Sequence, residues 1–243
     1  TYIDPLTEFP IGGTPGVRST QIKNYDVRWE WYFGTGETLS VGLFYKDMTD
    51  PIESVQSPAQ DGPPLIRIAN AEDGEVYGVE AEFMKDFAFL GDFMGGIGND
   101  FFLSGNVTLS DSEINIDTQK VVEQTGVSTA ITNPTRRMTG HSQYVVNFNL
   151  GYDHPNGNHT ATLAYNVFGE RIIIPGIDDK DDAYEQPFHS LDFVYTYFPT
   201  YSSTLRFRVQ NILNQEKEIT FNDTLLRSET RGVTLGVSFK QDF

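Results

Sequence analysis

Four aspartates are crowded into one short polar segment, which reads Asp178-Asp179-Lys180-Asp181-Asp182. Carboxylates that share a loop repel one another unless a hard cation neutralises them, and Ca²⁺ prefers oxygen ligands of this kind. The sequence therefore indicates a weak candidate calcium site formed by Asp178, Asp179, Asp181 and Asp182. The favoured alternative is a solvated acidic loop tip that keeps the surface hydrophilic.

Two adjacent arginines, Arg136 and Arg137, stand where a predicted long loop ends and the chain re-enters a strand. Guanidinium groups can hold an anionic substrate or a lipopolysaccharide phosphate through bidentate hydrogen bonds, although a structural salt bridge explains the pair equally well. Long loops are where substrate capture is expected. By location alone, we predict substrate-binding residues at Arg136, Arg137, Asp178 and Tyr184.

Histidine and cysteine give no catalytic or metal-binding pattern. The chain has no cysteine, and no two of its four histidines stand at metal-ligand spacing. His154 and His159 flank a short turn, and we predict that both are solvated. Glu80 and Glu82 would need a defined pocket to act in catalysis, which the sequence does not indicate. We therefore predict that the protein is not an enzyme and has no cofactor.

The charge balance and the hydropathy pattern exclude two further classes. With 34 acidic against 17 basic residues, the net charge is −17, a field that repels the phosphates of nucleic acid. The apolar runs, such as Ile172 to Ile174, are only a few residues long, so the chain is not a helical membrane protein. A membrane barrel remains possible, because its strands are apolar only at every second residue and contain no long apolar runs.

Alternation of apolar and polar residues with a period of two recurs along the whole chain and predicts β-strands. It is clearest near the end, where Val233, Leu235, Val237 and Phe239 share one face and polar residues or glycine take the other. The pattern predicts nine strands, with cores at 25–33, 39–45, 77–83, 103–109, 144–152, 161–167, 191–197, 205–209 and 232–243.

The lengths of the strands and of their connections favour a membrane barrel. The regular runs have about 9–12 residues, near the length that a tilted strand needs to cross a bilayer, whereas soluble domains average roughly 5–6. Short turns alternate with longer connections, as periplasmic turns alternate with extracellular loops. The short turns lie at 34–37, 154–158 and 198–202, the long connections at 48–74, 114–139 and 170–186, a shorter one at 222–229, and an intermediate one at 86–100.

Aromatic residues such as Trp31 and Tyr152 stand at the ends of the apolar rows, where the interfacial girdles of membrane barrels lie. The predicted fold class is therefore all-β, an antiparallel transmembrane β-barrel. The alternative is a soluble or surface-anchored β-sandwich that binds carbohydrate through exposed aromatic residues.

An odd number of strands implies an incomplete barrel. Nine antiparallel strands cannot close edge to edge, because the first and the last would run parallel. An open sheet would leave backbone groups unpaired in lipid. We therefore expect further strands before Thr1, with residues 1–21 as a truncated extracellular loop and residues 22–243 as the C-terminal segment of the barrel.

Several motifs, in this order, resemble those of TonB-dependent outer-membrane receptors. Asn211-Ile212-Leu213-Asn214 resembles the Asn-Leu-Phe-Asp/Asn signature of their penultimate strand. Residues 76–82 resemble their Tyr-Gly-Val-Glu strand, and residues 41–52 resemble the strand before it. Residues 231–239, followed by the terminal Phe243, are similar to their closing strand. The order matches the last nine strands of a barrel that has 22 in that family.

The resemblance implies energised uptake of a scarce nutrient, namely a ferric siderophore, a vitamin or an oligosaccharide, across the outer membrane of a Gram-negative bacterium. It implies a TonB complex that engages an N-terminal region, and a plug domain, neither of which this sequence contains. It also implies contact with outer-membrane lipids and lipopolysaccharide, and with the barrel assembly machinery, which would read Phe239 and Phe243. Without the plug and the earlier strands, this segment alone is not expected to transport.

Overall fold

Nine long strands dominate the computed structural model, which describes residues 2–3, 9–58, 64–90, 93, 97–127 and 129–242. They lie at the nine positions predicted from the alternation of the sequence. The strands are β1 (Gln21–Gly34), β2 (Glu37–Thr49), β3 (Asp73–Asp86), β4 (Phe101–Asn115), β5 (Tyr144–Asp153), β6 (His159–Phe168), β7 (Phe188–Thr200), β8 (Ser203–Gln210) and β9 (Thr234–Gln241).

These strands form one sheet in which every strand pairs antiparallel with its neighbours in sequence, from β1 at one edge to β9 at the other. Among the described residues, neither edge strand has a partner on its outer side. The long strands form a single sheet rather than two sheets packed face to face, so the sandwich alternative is wrong. The nine-stranded antiparallel prediction is confirmed.

The register joins the apolar residues of successive strands into continuous rows on one face, called here the apolar face. The other face carries the polar residues and is called the polar face, where Arg28 forms ion pairs with Glu30 and Glu82 at 2.7 and 2.9 Å. One apolar row consists of Trp29, Val41, Ala81, Val107, Val146 and Val167. The adjacent polar row consists of Glu30, Ser40, Glu82, Asn106, Asn147, Asn166 and Ser190.

Glycines opposite aromatic rings help to set this register. Phe102 pairs with Gly151, and Phe148 pairs with Gly105. A Cβ atom on Gly151 would collide with the Phe102 ring, and one on Gly105 would meet the Phe148 ring and the carbonyl oxygen of Asn147. The aromatic rings thus occupy the space that the glycines leave open, which fixes the alignment of β4 with β5.

The long connections contain regular structure that the sequence analysis missed. Most of the short strands pair with one another, whereas Thr135–Arg136 pairs with the end of β4 in the main sheet. The short strands are Tyr2–Ile3, Pro10–Gly12, Ile52–Ser57, Leu65–Asn70, Thr135–Arg136, Arg171–Ile174, Ala183–Glu185, Glu216–Phe221 and Thr224–Thr230. Two 3₁₀ turns, Ala88–Leu90 and Ile97–Asp100, lie in the connection of intermediate length.

One helix, α1 (Thr118–Thr125), also lies in a long connection. The Asp117 side chain caps its start by accepting hydrogen bonds from the backbone nitrogens of Gln119 and Lys120, and Gly126 ends it with a φ of 69°. No helix among the described residues is long and apolar enough to cross a membrane.

The connection predicted at 222–229 is part of a longer one that spans 211–233. Glu216–Phe221 and Thr224–Thr230 pair as a hairpin. Asn222 and Asp223 form its two-residue turn with φ values of 45° and 58°, the left-handed conformation that such a turn requires. The connection between β8 and β9 is therefore a long one, like the other connections at the same end of the sheet.

Candidate functional site: a packed collar of loops

The four long connections pack together at one end of the sheet and form what we call the loop collar. It comprises the described residues of 50–72, 116–143, 169–187 and 211–233, together with Pro10–Gly12. Pro10–Gly12 joins it because Ile11 pairs with Ile66 in a parallel arrangement. Ala183–Glu185 of the third connection pairs with Glu216–Phe221 of the fourth.

The collar contains most of the buried apolar side chains among the described residues. The only ones in the long strands are Met48, Ile114 and Val167. One cluster joins the first two connections and consists of Val55, Ala69, Ala71, Ile114, Ile116 and Val121. A second joins the third and fourth and consists of Ile174, Ala183 and Ile219. Burial of this kind is the main source of stability in folded chains, so the collar is a packed unit.

Arg136, predicted to bind substrate or form a salt bridge, lies inside the collar. Its Nη2 is 3.3 Å from Glu53 Oε2, and the two side chains are only 3% and 2% exposed. Arg136 also donates to the Ser54 carbonyl oxygen at 2.9 Å and to Thr139 Oγ1 at 3.0 Å. This geometry fits the structural salt bridge and leaves the guanidinium out of reach of a ligand.

Burial and the neighbouring groups act in opposite directions on the pKa of the partner acid. Burial raises the pKa of Glu53 above its ordinary value, while the Arg136 charge and hydrogen bonds from Thr139 act in the opposite direction. Thr139 donates to Glu53 Oε2 from both its hydroxyl, at 2.8 Å, and its backbone nitrogen, at 3.2 Å. The acid thus joins 53–54 to 136–139 across more than 80 residues of sequence.

A second buried acid, which the sequence analysis did not single out, joins the other half of the collar. Glu185 is fully buried and lies 2.7 Å from both Arg171 Nη2 and Lys217 Nζ. The Arg171 guanidinium also covers the Phe168 ring at 4.3 Å from its centroid. Two cations therefore compensate one buried carboxylate, as burial of such a charge requires.

Arg137 and Tyr184 remain nearer to the surface. Arg137 Nη2 lies 3.1 Å from Glu170 Oε1, and the Arg137 side chain is 19% exposed. Burial raises the pKa of Tyr184, with smaller contributions from Asp182 and Asp181, while the Arg137 charge opposes it. The structure thus brings Arg137, Tyr184 and the acidic segment within electrostatic range of one another.

The four predicted calcium ligands do not converge. Asp178 and Asp179 are exposed and adopt left-handed φ values of 54° and 60°. Asp182 is buried, where it accepts hydrogen bonds from the Gly176 backbone nitrogen at 2.6 Å and from Asn133 Nδ2 at 3.0 Å. Within the described ranges, no three His, Asp or Glu residues are grouped so that they could hold a metal ion.

The acidic segment instead attaches one loop to another. Asp178 N donates to the Ala130 carbonyl oxygen at 2.9 Å, and Asn133 Nδ2 donates to Asp181 Oδ1 at 2.9 Å. Ile131 and Ile177 form an isolated antiparallel bridge between the same two loops. These contacts hold the exposed tip at Asp178 in a defined position on the collar.

An apolar cleft of about 260 Å³ opens beside this tip. No local sequence pattern indicates this cleft, because its lining comes from five separate segments of the chain. Gln56, Lys180 and Asp181 contribute polar groups to a mainly apolar lining, as is common in ligand sites. The main apolar lining residues are Phe9, Pro64, Ile174, Ile177, Phe221 and Leu226.

The Asn211 motif has a structural role at the end of β8. Asn211 N donates to Asp192 Oδ1 at 2.9 Å, and Asn211 Oδ1 accepts from Gln215 N at 3.0 Å. Asn211 Nδ2 donates to the Gly232 carbonyl oxygen at 3.0 Å. Asn211 therefore joins the beginning and the end of the connection that carries the last hairpin of the collar.

Of the two predicted barrel-assembly residues, Phe239 lies at the end of the sheet opposite to the collar. Phe239 is on the apolar face, pairs with Leu205 and is 65% exposed. Phe243 lies outside the described residues. Their recognition by the assembly machinery stays a prediction.

Comparison with known proteins identifies the family. The family model described as TonB dependent receptor-like, beta-barrel, matches residues 2–212. No curated protein matches the sequence. Similar solved structures include the ferric enterobactin receptor of Pseudomonas aeruginosa, 14% identical with a TM-score of 0.57 over 94% of this chain and 32% of that chain.

Two further structures show the same likeness. The ferric yersiniabactin uptake receptor of Yersinia pestis is 17% identical, with a TM-score of 0.60 over 92% of this chain and 30% of that chain. The pyoverdine outer membrane receptor of P. aeruginosa is 12% identical, with a TM-score of 0.59 over 93% and 30%. The chain thus spans about a third of the length of these receptors. The family match covers most of the sequence, and the chain belongs to the TonB-dependent receptor β-barrel family.

Proposed function

We propose that this chain is the C-terminal barrel segment of a receptor that takes up a scarce nutrient across the outer membrane of a Gram-negative bacterium. The observation that carries the proposal is a packed loop collar, with an apolar cleft, at one end of a sheet whose apolar residues form continuous rows. The apolar face would contact lipid, the polar face would line the passage, and the collar would face the cell exterior.

The ligand is proposed to be a ferric siderophore, a vitamin or an oligosaccharide. The similar receptors are named for ferric enterobactin, ferric yersiniabactin and pyoverdine, which favours a siderophore among the three. The cleft would hold an apolar part of the ligand, while Arg137, Tyr184 and Asp178 would contact its polar groups. Arg136 is assigned a structural role because it is buried against Glu53.

The remaining partners are assigned to other parts of the receptor. Residues 1–21 would belong to an extracellular loop, and residues 22–243 to the barrel. The open edges of β1 and β9 would pair with further strands, because unpaired backbone groups are not tolerated in lipid. A plug domain and a TonB-engaging segment would lie in the N-terminal region of the whole receptor, with lipopolysaccharide around the barrel.

Growth under nutrient limitation tests this function. A strain that lacks the whole gene would be grown with a ferric siderophore, a vitamin or an oligosaccharide as the limiting source, with and without the intact gene and with and without TonB. We expect a growth defect on one source, restored by the gene only when TonB is present. Equal growth on all three sources, or restoration without TonB, would contradict the proposal.

A further inference from the structure

A polar cleft of about 440 Å³, called here the turn cleft, lies at the short-turn end of the sheet, opposite to the collar. It opens between the turn that joins β5 to β6 and the turn that joins β7 to β8. Asn158 and Phe198 line it from neighbouring strands, and Phe198 N donates to the Asn158 carbonyl oxygen at 2.9 Å. Because Thr160 and Thr196 stand two residues away on the polar face, Asn158 and Phe198 belong to that face too.

The turn between β5 and β6 is held by its own hydrogen bonds. Asn158 N donates to Asn156 Oδ1 at 3.1 Å, and Asn156 N donates to His154 Nδ1 at 3.2 Å. Gly157 adopts a φ of 73° and donates its N–H to the His154 carbonyl oxygen at 2.7 Å. The prediction that His154 and His159 are solvated is wrong, because both are half-buried and their ring centroids are 5.4 Å apart. This rim of the cleft therefore has a defined shape.

The turn between β7 and β8 is tied to β9 through hydroxyl groups. Thr200 Oγ1 lies 2.8 Å from Ser203 Oγ, which donates to Gln241 Oε1 at 2.6 Å. Gln241 Nε2 donates in turn to Ser202 Oγ at 2.9 Å. Tyr201, at the tip of this turn, is fully exposed. The second rim is thus held in place, while its aromatic ring is left uncovered.

An unpaired acceptor lies in the lining of the turn cleft. Asn158 Oδ1 is buried and has no hydrogen-bond partner among the described residues. Buried side-chain oxygens are nearly always paired, and an amide oxygen accepts but cannot donate. A ligand that pairs with Asn158 Oδ1 must therefore carry an N–H or O–H donor, which a fully ionised phosphate or carboxylate lacks.

The charge of the surroundings favours a neutral ligand. None of the described residues that line the turn cleft is charged. The next row of the polar face contains one acid and one base, which balance each other. A charged ligand would lose its hydration in the cleft without gaining a counter-charge. That row consists of Asp153, Thr160, Thr196 and Arg206.

We propose that the turn cleft binds an N-acetylated sugar residue of the cell-wall glycan. An acetamido group joins an N–H donor to an apolar methyl group, and the cleft has an acceptor on Asn158 beside the apolar ring of Phe198. The C–H side of the sugar ring would lie on the uncovered ring of Tyr201. The sugar hydroxyls would bond to Thr200 and Asn156, which also line the cleft. The volume is within the range of about 300–1,000 Å³ of small-molecule sites.

The cell-wall source of the sugar rests on the orientation in the proposed function, whereas the chemistry of the cleft does not. Short turns of outer-membrane barrels face the periplasm, the compartment that holds the cell wall. A soluble N-acetylated oligosaccharide offers the same chemistry. The experiment therefore needs one arm for the soluble sugar and one for the wall.

The full-length receptor, purified in detergent, would be titrated with the trisaccharide of N-acetylglucosamine and, separately, with maltotriose, which has no acetamido group. Isothermal titration calorimetry would give both affinities. We expect the N-acetylated trisaccharide to bind and maltotriose to bind at least about fivefold more weakly, because it leaves a buried acceptor without its partner. Absence of binding, or equal affinity for the two sugars, would overturn the proposal.

Two variants test whether the sugar occupies this cleft. Asn158→Leu removes the acceptor at similar size, and Tyr201→Ala removes a ring that the fold leaves uncovered. Each should weaken the affinity for the N-acetylated trisaccharide by roughly two- to tenfold. Tyr201→Phe is the matched control, which keeps the ring and should keep wild-type affinity. Heat-modifiable mobility on gels would show that each variant is folded. Unchanged affinity in folded Tyr201→Ala and Asn158→Leu would overturn the proposal.

Purified cell-wall sacculi distinguish the two sources of the sugar. We expect the wild-type receptor to sediment with sacculi, to be released by excess N-acetylated trisaccharide, and to sediment in a larger share than Tyr201→Ala. Binding of the trisaccharide without sedimentation would show a site for a free sugar and would overturn the cell-wall assignment. Tyr201→Ala should grow like the wild type under nutrient limitation, so failure of the proposed function would be distinguishable from failure of this site.

Discussion

Arg136 and Glu53 form an ion pair that is buried between two loops of the collar, with 3.3 Å between Nη2 and Oε2. The residues are 83 positions apart in the sequence. Because both side chains are almost fully buried, each charge depends on the other for compensation. The pair therefore helps to hold the first two long connections together, in addition to the apolar cluster that joins them.

Glu53→Gln should destabilise the collar. The variant leaves the Arg136 guanidinium buried without its counter-charge, which typically costs about 3–5 kcal/mol. Hydrogen exchange of the backbone amides at 52–57 and 129–139, measured in the folded receptor, should become faster by several orders of magnitude. Glu72→Gln is the control, because Glu72 pairs with Lys120 near the surface. Unchanged exchange in Glu53→Gln would contradict the structural role of the pair.

Leu226→Asp should weaken ligand binding without unfolding the hairpin. Leu226 lines the apolar cleft and is 56% exposed, whereas the adjacent Leu225 is 55% exposed and does not line it. A carboxylate in an apolar cleft carries a desolvation cost, so ligand affinity should fall by at least about tenfold. Leu225→Asp is the matched control and should keep wild-type affinity, as measured by ligand titration of the full receptor.

If both leucine variants bind equally well, the cleft is not the ligand site. If both variants lose binding and also lose heat-modifiable mobility, the hairpin needs both leucines to fold. The two variants then give no support for a ligand site in the cleft.

Acid should loosen the contact between β4 and the segment that precedes β5. His141 lies 3.0 Å from Ser110 Oγ through Nε2 and 2.9 Å from Ser112 Oγ through Nδ1. Burial lowers the pKa of His141 below its ordinary 6.5, with Asp111 opposing and Arg137 reinforcing the shift. The folded state prefers the neutral ring, so its stabilisation is present above pH 6.5 and is lost as the pH falls through the lower folded pKa.

Hydrogen exchange at 138–143 should therefore become faster below pH 6.5 after correction for the intrinsic rate. His141→Gln, which keeps a donor and an acceptor but cannot titrate in this range, should remove the pH dependence. An equal acid effect in that variant would assign the titration to another group.

Gly151→Val should disturb the alignment of β4 with β5. A Cβ atom there meets the Phe102 ring, so the ring must leave its position and strain or a void results. We expect a loss of about 1–3 kcal/mol, seen as a lower midpoint in thermal unfolding followed by gel mobility. Gly42→Ala is the control, because a Cβ there comes no closer than 3.8 Å to the Val27 carbonyl oxygen.

The sheet could be predicted from the sequence because its signal is local. Side chains alternate between the faces with a strict period of two, so Val233, Leu235 and Val237 indicate their strand without reference to any other segment. The same rule predicted all nine strands and their antiparallel order. The apolar row from Trp29 to Val167 then follows when neighbouring strands pair in register.

The collar could not be predicted because its contacts are long-range. Nothing near Arg136 indicates that Glu53 lies beside it, and the cleft around Leu226 is formed by five segments. Helix α1 was missed because it has only eight residues with a single buried side chain, Val121, too few to show a helical period. In the sequence, only the capping residues Asp117 and Gly126 indicate where this helix begins and ends.

In the proposed orientation, the apolar face of the sheet contacts lipid and the polar face contacts water. Thr162 and Leu163 are adjacent in β6 and belong to opposite faces, and this chain contains no cysteine. Thr162→Cys and Leu163→Cys would be made in the full-length receptor in native outer membranes and treated with a membrane-impermeant maleimide. We predict rapid labelling at 162 and protection at 163, with a lipid-soluble reagent reversing the order. Equal labelling at both positions, or protection at 162 alone, would contradict the account.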